Sequence, residues 1–242
     1  MVTISCACMC TEEKEFLHEA VSSILPIADE IVIVFDEKTT DTTKNIVKKI
    51  KDNNKDIEWK LIDRNWDTST KQKQFLFEQA TKDWVLFFDA DEILDGYLEL
   101  VKEKIIHVDS LNGKAISLRS HHFIYNLALE DASVEKHYHY ARLIKNDKRN
   151  LKFSGINHAV IEGFEENEHW TVDDVRFFHM GYIKHLARIA EKYHRDSKIK
   201  QLHTQEFLDS WRDAHMFGTY PVKNFESKKI PKIILKKFGV EK

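Results

Sequence analysis

The chain has 242 residues, of which 42% are hydrophobic and 32% charged, a balance that fits a folded globular protein and excludes a disordered one. Its net charge is −3 with both signs interspersed, which gives no electrostatic support to a nucleic-acid partner. Three prolines, seven glycines and the lack of any apolar run near the roughly 18–20 residues of a membrane span argue against long linkers, many-turned β architectures and a spanning segment.

The short apolar start has no basic leader and runs into Thr11, Glu12 and Glu13, so it is not expected to act as a secretory signal. Residues 2–8 read as a strand. Cys6, Cys8 and Cys10 alternate, so they are expected on one face of that strand as buried packing thiols, at home in a reducing cytoplasm. Phe16, Leu17, Ala20, Val21 and Ile24 recur at helical spacing, and Pro26 follows as a stop. The run at 31–35 is continuous and β-branched, as in a strand covered on both faces. Thr40 and Asp41 are expected to cap a helix that buries Ile46, Val47 and Ile50. A strand around Trp59 to Ile62, a helix with Phe75, Leu76 and Ala80, and an apolar strand at 84–88 complete the alternation.

Such β–α units predict an α/β fold with a mainly parallel sheet flanked by helices. Beyond Glu92 the pattern loosens. Residues 94–106 look helical, 115–118, 138–144 and 172–178 look like strands, and 183–217 look helical again. The division expected is a domain at 1–185, with a nucleotide-binding half at 1–92 and an acceptor-side half at 93–185, followed by a helical extension at 186–242.

In an open parallel sheet, ligands sit beyond the carboxyl ends of the strands. Asp89, Ala90, Asp91 and Glu92 follow the fourth strand directly. If extended geometry persists, Asp89 and Asp91 face one side and offer hard oxygens suited to Mn²⁺ or Mg²⁺. Asp36 ends the second strand and opens onto the same crevice, where a carboxylate can accept hydrogen bonds from a base or ribose. An acidic turn at a strand end is the plainer alternative for all three.

These residues stand in longer segments. The stretch VFDEKTTDTT at 34–43 resembles the "VVDTGSTDGT" of family 2 glycosyltransferases of GT-A fold, and KQFLFEQATKDWVLFFDADE at 73–92 resembles their "RNFALEQATGDWILFLDADE". RLIKN at 142–146, GINH at 155–158 and FFHMGY at 177–182 are similar to the "RLFRN", "GxIHE" and "HxGY" segments of a bacterial and viral branch. The resemblance implies a GT-A (Rossmann-like) fold and glycosyl transfer from a nucleotide sugar, with a UDP-sugar favoured and a glycan, lipid-linked or protein acceptor. It further implies that Asp36 contacts the base, Asp89 the ribose or metal and Asp91 the metal, while Lys73 takes the place of an arginine near the nucleotide. His179 matches a histidine that completes the metal or diphosphate site.

Four positions depart from the family pattern. Thr11 replaces an asparagine, Lys38 and Thr42 replace glycines, and Ala159 replaces the glutamate of "HE". An inverting transfer needs a base for the acceptor hydroxyl. With that glutamate missing, His158 and Glu162 are the leading choices, with Glu130 and Asp131 behind them. A non-catalytic sugar-nucleotide or glycan-binding module therefore stays open. A phosphatase of the haloacid dehalogenase type fits poorly, because its aspartate pair follows the first strand rather than the fourth. Tyr125, Tyr138 and Tyr140 offer faces to an acceptor sugar. The lysine-rich tail from 228, with Ile230, Ile233, Ile234 and Phe238 at helical spacing, can dock on its own domain or lie on the inner face of an anionic membrane.

Overall fold

The four apolar runs at the start of the chain form β1 (Ile4–Cys10), β2 (Glu30–Asp36), β3 (Glu58–Arg64) and β4 (Trp84–Asp89). They pair in parallel in the order β3-β2-β1-β4. Three helices make the crossovers: α1 (Leu17–Ile24), α2 (Asp41–Asn53) and α3 (Ser69–Gln79). The structure is a computed structural model and describes residues 1–132, 138–155, 159–183 and 205–240. They form two units, one made of Met1–Ser120 with His139–Phe177, the other of His121–Tyr138 with Phe178–Lys242.

In the first unit β1, β2 and β4 are buried on both faces, as their unbroken apolar runs require, while the edge strand β3 is half-buried and partly exposed. Cys6, Cys8, Cys10, Ile31, Ile33, Phe35, Trp84, Leu86 and Phe88 share one face with Leu17, Val21 and Ile24 of α1 and Val47 and Ile50 of α2. The alternate residues Ala7, Val32, Val34, Val85 and Phe87 meet Leu76, Phe77 and Ala80 on the opposite face. Each such large apolar side chain contributes about 1.5–3 kcal/mol on burial. The three cysteines are free, buried and on one face.

Thr40 holds the N-cap position of α2, but its side chain makes no capping bond. Its hydroxyl donates to Glu12, and Thr43 Oγ1 donates to the same carboxylate at 3.1 Å. The loop after β1 is thereby tied to the loop after β2. Thr39 Oγ1 adds a bond to the Cys10 carbonyl at 3.0 Å.

The helix expected over 94–106 does not open there: its first residues belong to a short strand, β5 (Glu92–Gly96). It pairs with β11 (His169–Tyr182), and the Tyr97 N–H donates to the Asp174 carbonyl at 3.1 Å. Gly96 has φ +120°, and a Cβ there would lie 2.0 Å from the Asp174 carbonyl oxygen, so the crossing needs glycine. The helix begins later, as α4 (Val101–Ser110), with Val101, Ile105 and Val108 turned inward. Strand β6 (Ala115–Ile124) and β11 each contribute residues to both units. Strand β8 (Tyr138–Lys145) lies antiparallel to β4, with Leu86 opposite Leu143. A two-stranded hairpin, β9 (Lys152–Ser154) and β10 (Val160–Glu162), belongs to the first unit.

The second unit contains β7 (Leu129–Asp131), a helix α5 (Gln205–Met216), β12 (Val222–Asn224) and a short helix α6 (Lys232–Lys237). Its interior is aromatic. His121 stacks on Phe178 at 5.2 Å, and Phe123 meets Phe225 edge-on at 5.0 Å. The Tyr125 hydroxyl donates to the Ala214 carbonyl and accepts the Tyr220 N–H, both at 3.0 Å, so its polar end is engaged inside this unit. In the tail Ile230 and Ile234 are buried, while Lys232, Lys236, Lys237, Phe238 and Val240 are exposed. No helix among the described residues is long and apolar enough to cross a membrane.

Candidate functional site

The strand order reverses at β1: the chain steps outward through β2 and β3, then returns to place β4 on the other side of β1. The crevice beyond the carboxyl ends of β1 and β4 is therefore the switch point at which open α/β sheets bind ligands. Asp89 is the last residue of β4 and pairs in register with Met9 of β1. Asp36 is the last residue of β2, two strands away at the same end of the sheet. Its carbonyl accepts the Thr39 N–H at 2.9 Å, and its carboxylate lies a long 3.5 Å from Lys38 N.

The aspartate turn is held from below by Glu92. This carboxylate is fully buried and accepts the Asp89 N–H at 3.0 Å and an Arg142 Nη2 bond at 2.5 Å. Arg142 enters from β8 one residue beyond the Leu86 and Leu143 pair, on the side toward the carboxyl end of β4. Its other terminal nitrogen lies 3.9 Å from Asp89 Oδ2, and its guanidinium sits 5.4 Å from the Phe177 ring centroid. Burial raises the Glu92 carboxyl, the Arg142 guanidinium opposes this, and the charges of Asp89 and Asp91 add to it.

Lys73 on α3 is half-buried. Burial lowers the pKa of its ammonium; Asp89 works against that lowering and Arg142 adds to it, which places Lys73 within electrostatic reach of the turn. The Cys8 thiol beneath the site is pushed well above its ordinary value by burial, then by Cys10, Asp89 and Asp91, so it is a neutral packing group.

The Asp89 side chain is 43% exposed at the rim, whereas Asp91 is buried. Among the described residues no group of three or more His, Cys, Asp or Glu side chains is arranged to hold a metal by itself. Two carboxylates with hard oxygens fit Mg²⁺ or Mn²⁺, which are commonly bound by one or two carboxylates with phosphate oxygens and water completing the shell.

The β9–β10 hairpin is fastened to the start of α3. Thr70 Oγ1 donates to the Gly155 carbonyl, the Phe153 N–H donates to Gln74 Oε1 at 2.9 Å, and the Phe153 ring packs edge-on against Phe77 and Phe87. Glu162, on β10, is exposed and accepts the Ser154 hydroxyl. His158 lies outside the described residues, as do the side chains of Tyr138 and Tyr140. His179 belongs to the second unit, where it is buried 4.8 Å from the His122 ring and 5.2 Å from Tyr182. Glu130 and Asp131 are in that unit too: Glu130 lies 3.1 Å from His121 Nδ1, and Asp131 accepts the Tyr220 hydroxyl at 3.2 Å.

Asp36, Lys73, Asp89 and Asp91 thus belong to one unit, on its carboxyl side. Glu92 and Arg142 stood within the DADE and RLIKN segments, but residue type and spacing gave neither a role. A buried ion pair across 50 residues is set by strand order, and only the acidic Glu92 directly after the pair hinted at it.

Residues 5–111 match the model of the family described as glycosyl transferase family 2. That match lies over the parallel sheet that carries Asp36, Asp89 and Asp91, and it supports a glycosyltransferase of that family. Solved structures agree in fold. The crystal structure of S. aureus TarS 1–349 is 14% identical with a TM-score of 0.52, and the match covers 81% of this chain and 64% of that one. TarS 1–349 in complex with UDP is 13% identical with a TM-score of 0.51, covering 89% and 72%. The crystal structure of S. aureus TarS is 12% identical with a TM-score of 0.52, covering 98% of this chain and 47% of that one. At these identities the likeness is one of fold, that of the GT-A glycosyltransferases. No curated protein sequence matches the chain.

Proposed function

We propose that the chain transfers a glycosyl group, with inversion, from a nucleoside-diphosphate sugar to an acceptor hydroxyl, in a metal-dependent reaction. The observation that carries this reading is the Asp89 and Asp91 turn at the switch point of the parallel sheet, braced by a buried Glu92–Arg142 pair. Asp89 and Asp91 would hold Mn²⁺ or Mg²⁺. Such a cation supplies charge neutralisation for the departing diphosphate.

The chain's own residues divide the remaining work. Asp36 accepts hydrogen bonds from the base or ribose, and a uridine nucleotide is favoured, in keeping with the UDP of the TarS complex. Lys73 offers a point charge to the phosphates, without the fork of an arginine. The acceptor oxygen attacks the anomeric carbon, the bond to the diphosphate oxygen breaks, and the hydroxyl proton passes to a base. His158 and Glu162 remain the candidates for that base, and the exposure of Glu162 supports access from solvent. The acceptor is a glycan, a lipid-linked glycan or a protein.

The site of action in this reading is the cytoplasm, peripheral to the inner face of the membrane. Exposed Lys232, Lys236, Lys237, Phe238 and Val240 beside anchored Ile230 and Ile234 support contact with anionic lipid. Flotation with anionic but not neutral vesicles checks it, and no flotation with either removes it.

Ala159, in place of the family's glutamate, favours a second reading, a module that binds sugar nucleotide without turnover. One experiment separates the two. Nucleotide sugars are screened for release of free nucleoside diphosphate with Mn²⁺ or Mg²⁺, beside Asp91→Asn. Metal-dependent release that vanishes in the variant supports the enzyme; tight binding without release supports the module.

A further inference from the structure

The feature of this site that residue types alone leave unassigned is the pair beneath the aspartates. Glu92 and Arg142 are both buried, with side chains 2% and 8% exposed. A buried ion pair is costly to form, and well-packed apolar residues of similar volume often serve stability as well or better. Stability is therefore a weak account of this pair. Its geometry suggests another one. One Glu92 oxygen accepts the Asp89 N–H at 3.0 Å, while the other accepts Arg142 Nη2 at 2.5 Å. The same guanidinium directs Nη1 toward Asp89 Oδ2 at 3.9 Å. Backbone and side chain of Asp89 are thus referenced to one rigid fork, which is itself set on β8 and lies over Phe177.

We propose that Glu92 and Arg142 act together as positioning residues that fix the Asp89 carboxylate for joint binding of a divalent cation with Asp91. This rests on the reading of Asp89 and Asp91 as cation ligands. Groups that orient metal ligands without touching the metal typically change affinity about 10- to 100-fold when removed.

The test is Mn²⁺ binding followed by calorimetry, without substrate, in wild type, Asp91→Asn and the double variant Glu92→Leu/Arg142→Met. The double variant removes one charge of each sign. The net charge near the aspartates is unchanged and no buried charge is left unpaired, so altered affinity reports geometry rather than field. The expected result is a cooperatively folded protein with Mn²⁺ affinity lowered about 10- to 100-fold. Wild-type affinity in the folded double variant overturns the proposal.

Arg142→Lys provides a second arm should the double variant not fold. It keeps the charge but loses the fork, so Mn²⁺ affinity is expected to fall several-fold, and unchanged affinity overturns the proposal. If wild type itself binds no Mn²⁺, both this inference and the underlying reading fall. If binding is lost in Asp91→Asn yet intact in the double variant, only this inference falls.

Discussion

Lys60 on β3 places its Nζ 2.6 Å from Oε1 of Glu30, the first residue of β2, at the end of the sheet opposite the aspartate turn. Glu30 is fully buried, yet every side of its carboxylate is engaged. It also accepts the Ser5 hydroxyl, the Thr81 N–H at 2.9 Å and Thr81 Oγ1 at 2.8 Å. Three strands and the turn that leads into β4 are joined at one acid.

Burial alone would raise the Glu30 pKa, but the bonds from Lys60, Ser5 and Thr81 outweigh it and the value is lowered. A depressed carboxyl stabilises the fold above its unfolded value of about 4.3, and that contribution is lost as pH falls through the folded value. Glu30→Gln should cost about 3 kcal/mol in urea denaturation at neutral pH. It should also flatten the loss of stability on the acid side, so that wild type and variant converge as pH drops. Parallel pH profiles for the two would show that Glu30 is not the group responsible.

Gly96 should tolerate no side chain. Its φ of +120° and the 2.0 Å approach of the Asp174 carbonyl oxygen both oppose a Cβ. Gly96→Ala is expected to lower stability by about 3 kcal/mol or more. A thermal midpoint within one or two degrees of wild type would contradict the described crossing of β5 and β11.

Asp36→Asn should weaken donor binding with little effect on the chemical step. Among the described residues its carboxylate makes one long hydrogen bond, from Lys38 N, so folding stability should hardly change. Loss of a charged hydrogen-bond acceptor to the nucleotide is worth about 1.5–3 kcal/mol, or roughly 10- to 100-fold in donor KM. Steady-state kinetics would show this as raised KM at constant kcat, and a fall in kcat alone would assign Asp36 a different role.

Chelation provides a test of the aspartate turn itself. Treatment with EDTA should abolish diphosphate release, and added Mn²⁺ should restore it. Asp91→Asn should reduce turnover by about three orders of magnitude with metal present. Full activity in chelator would exclude the metal-dependent reading.

Glu12 joins the loops after β1 and β2 through Thr40 and Thr43. Glu12→Ala should cost about 1 kcal/mol, a typical value for hydrogen bonds at a partly exposed site. Thr40→Ala should cost a similar amount through the same bond rather than through helix capping, so the two losses should not add. Additive losses would mean that Thr40 acts separately from Glu12.

Features that repeat over a few residues were legible from the order of the amino acids alone. The runs at 31–35 and 84–88 became buried parallel strands, the alternating cysteines share one face, and Asp36, Asp89 and Asp91 fall at or just beyond the carboxyl ends of strands. Side-chain periodicity and strand ends are local properties, and a parallel sheet buried on both faces leaves them little freedom. Partners distant in sequence were decided by the tertiary structure. Residues 94–96 look like the start of a helix, yet they end a strand because β11 offers hydrogen bonds near Asp174. Thr40 sits at a helix start, but its hydroxyl turns to Glu12. Arg142 reaches Glu92 only because β8 runs antiparallel beside β4 in the register that sets Leu86 against Leu143. A side chain commits its hydrogen bonds and charge to whichever groups the sheet order brings within about 3 Å, and no spacing along the chain encodes that distance.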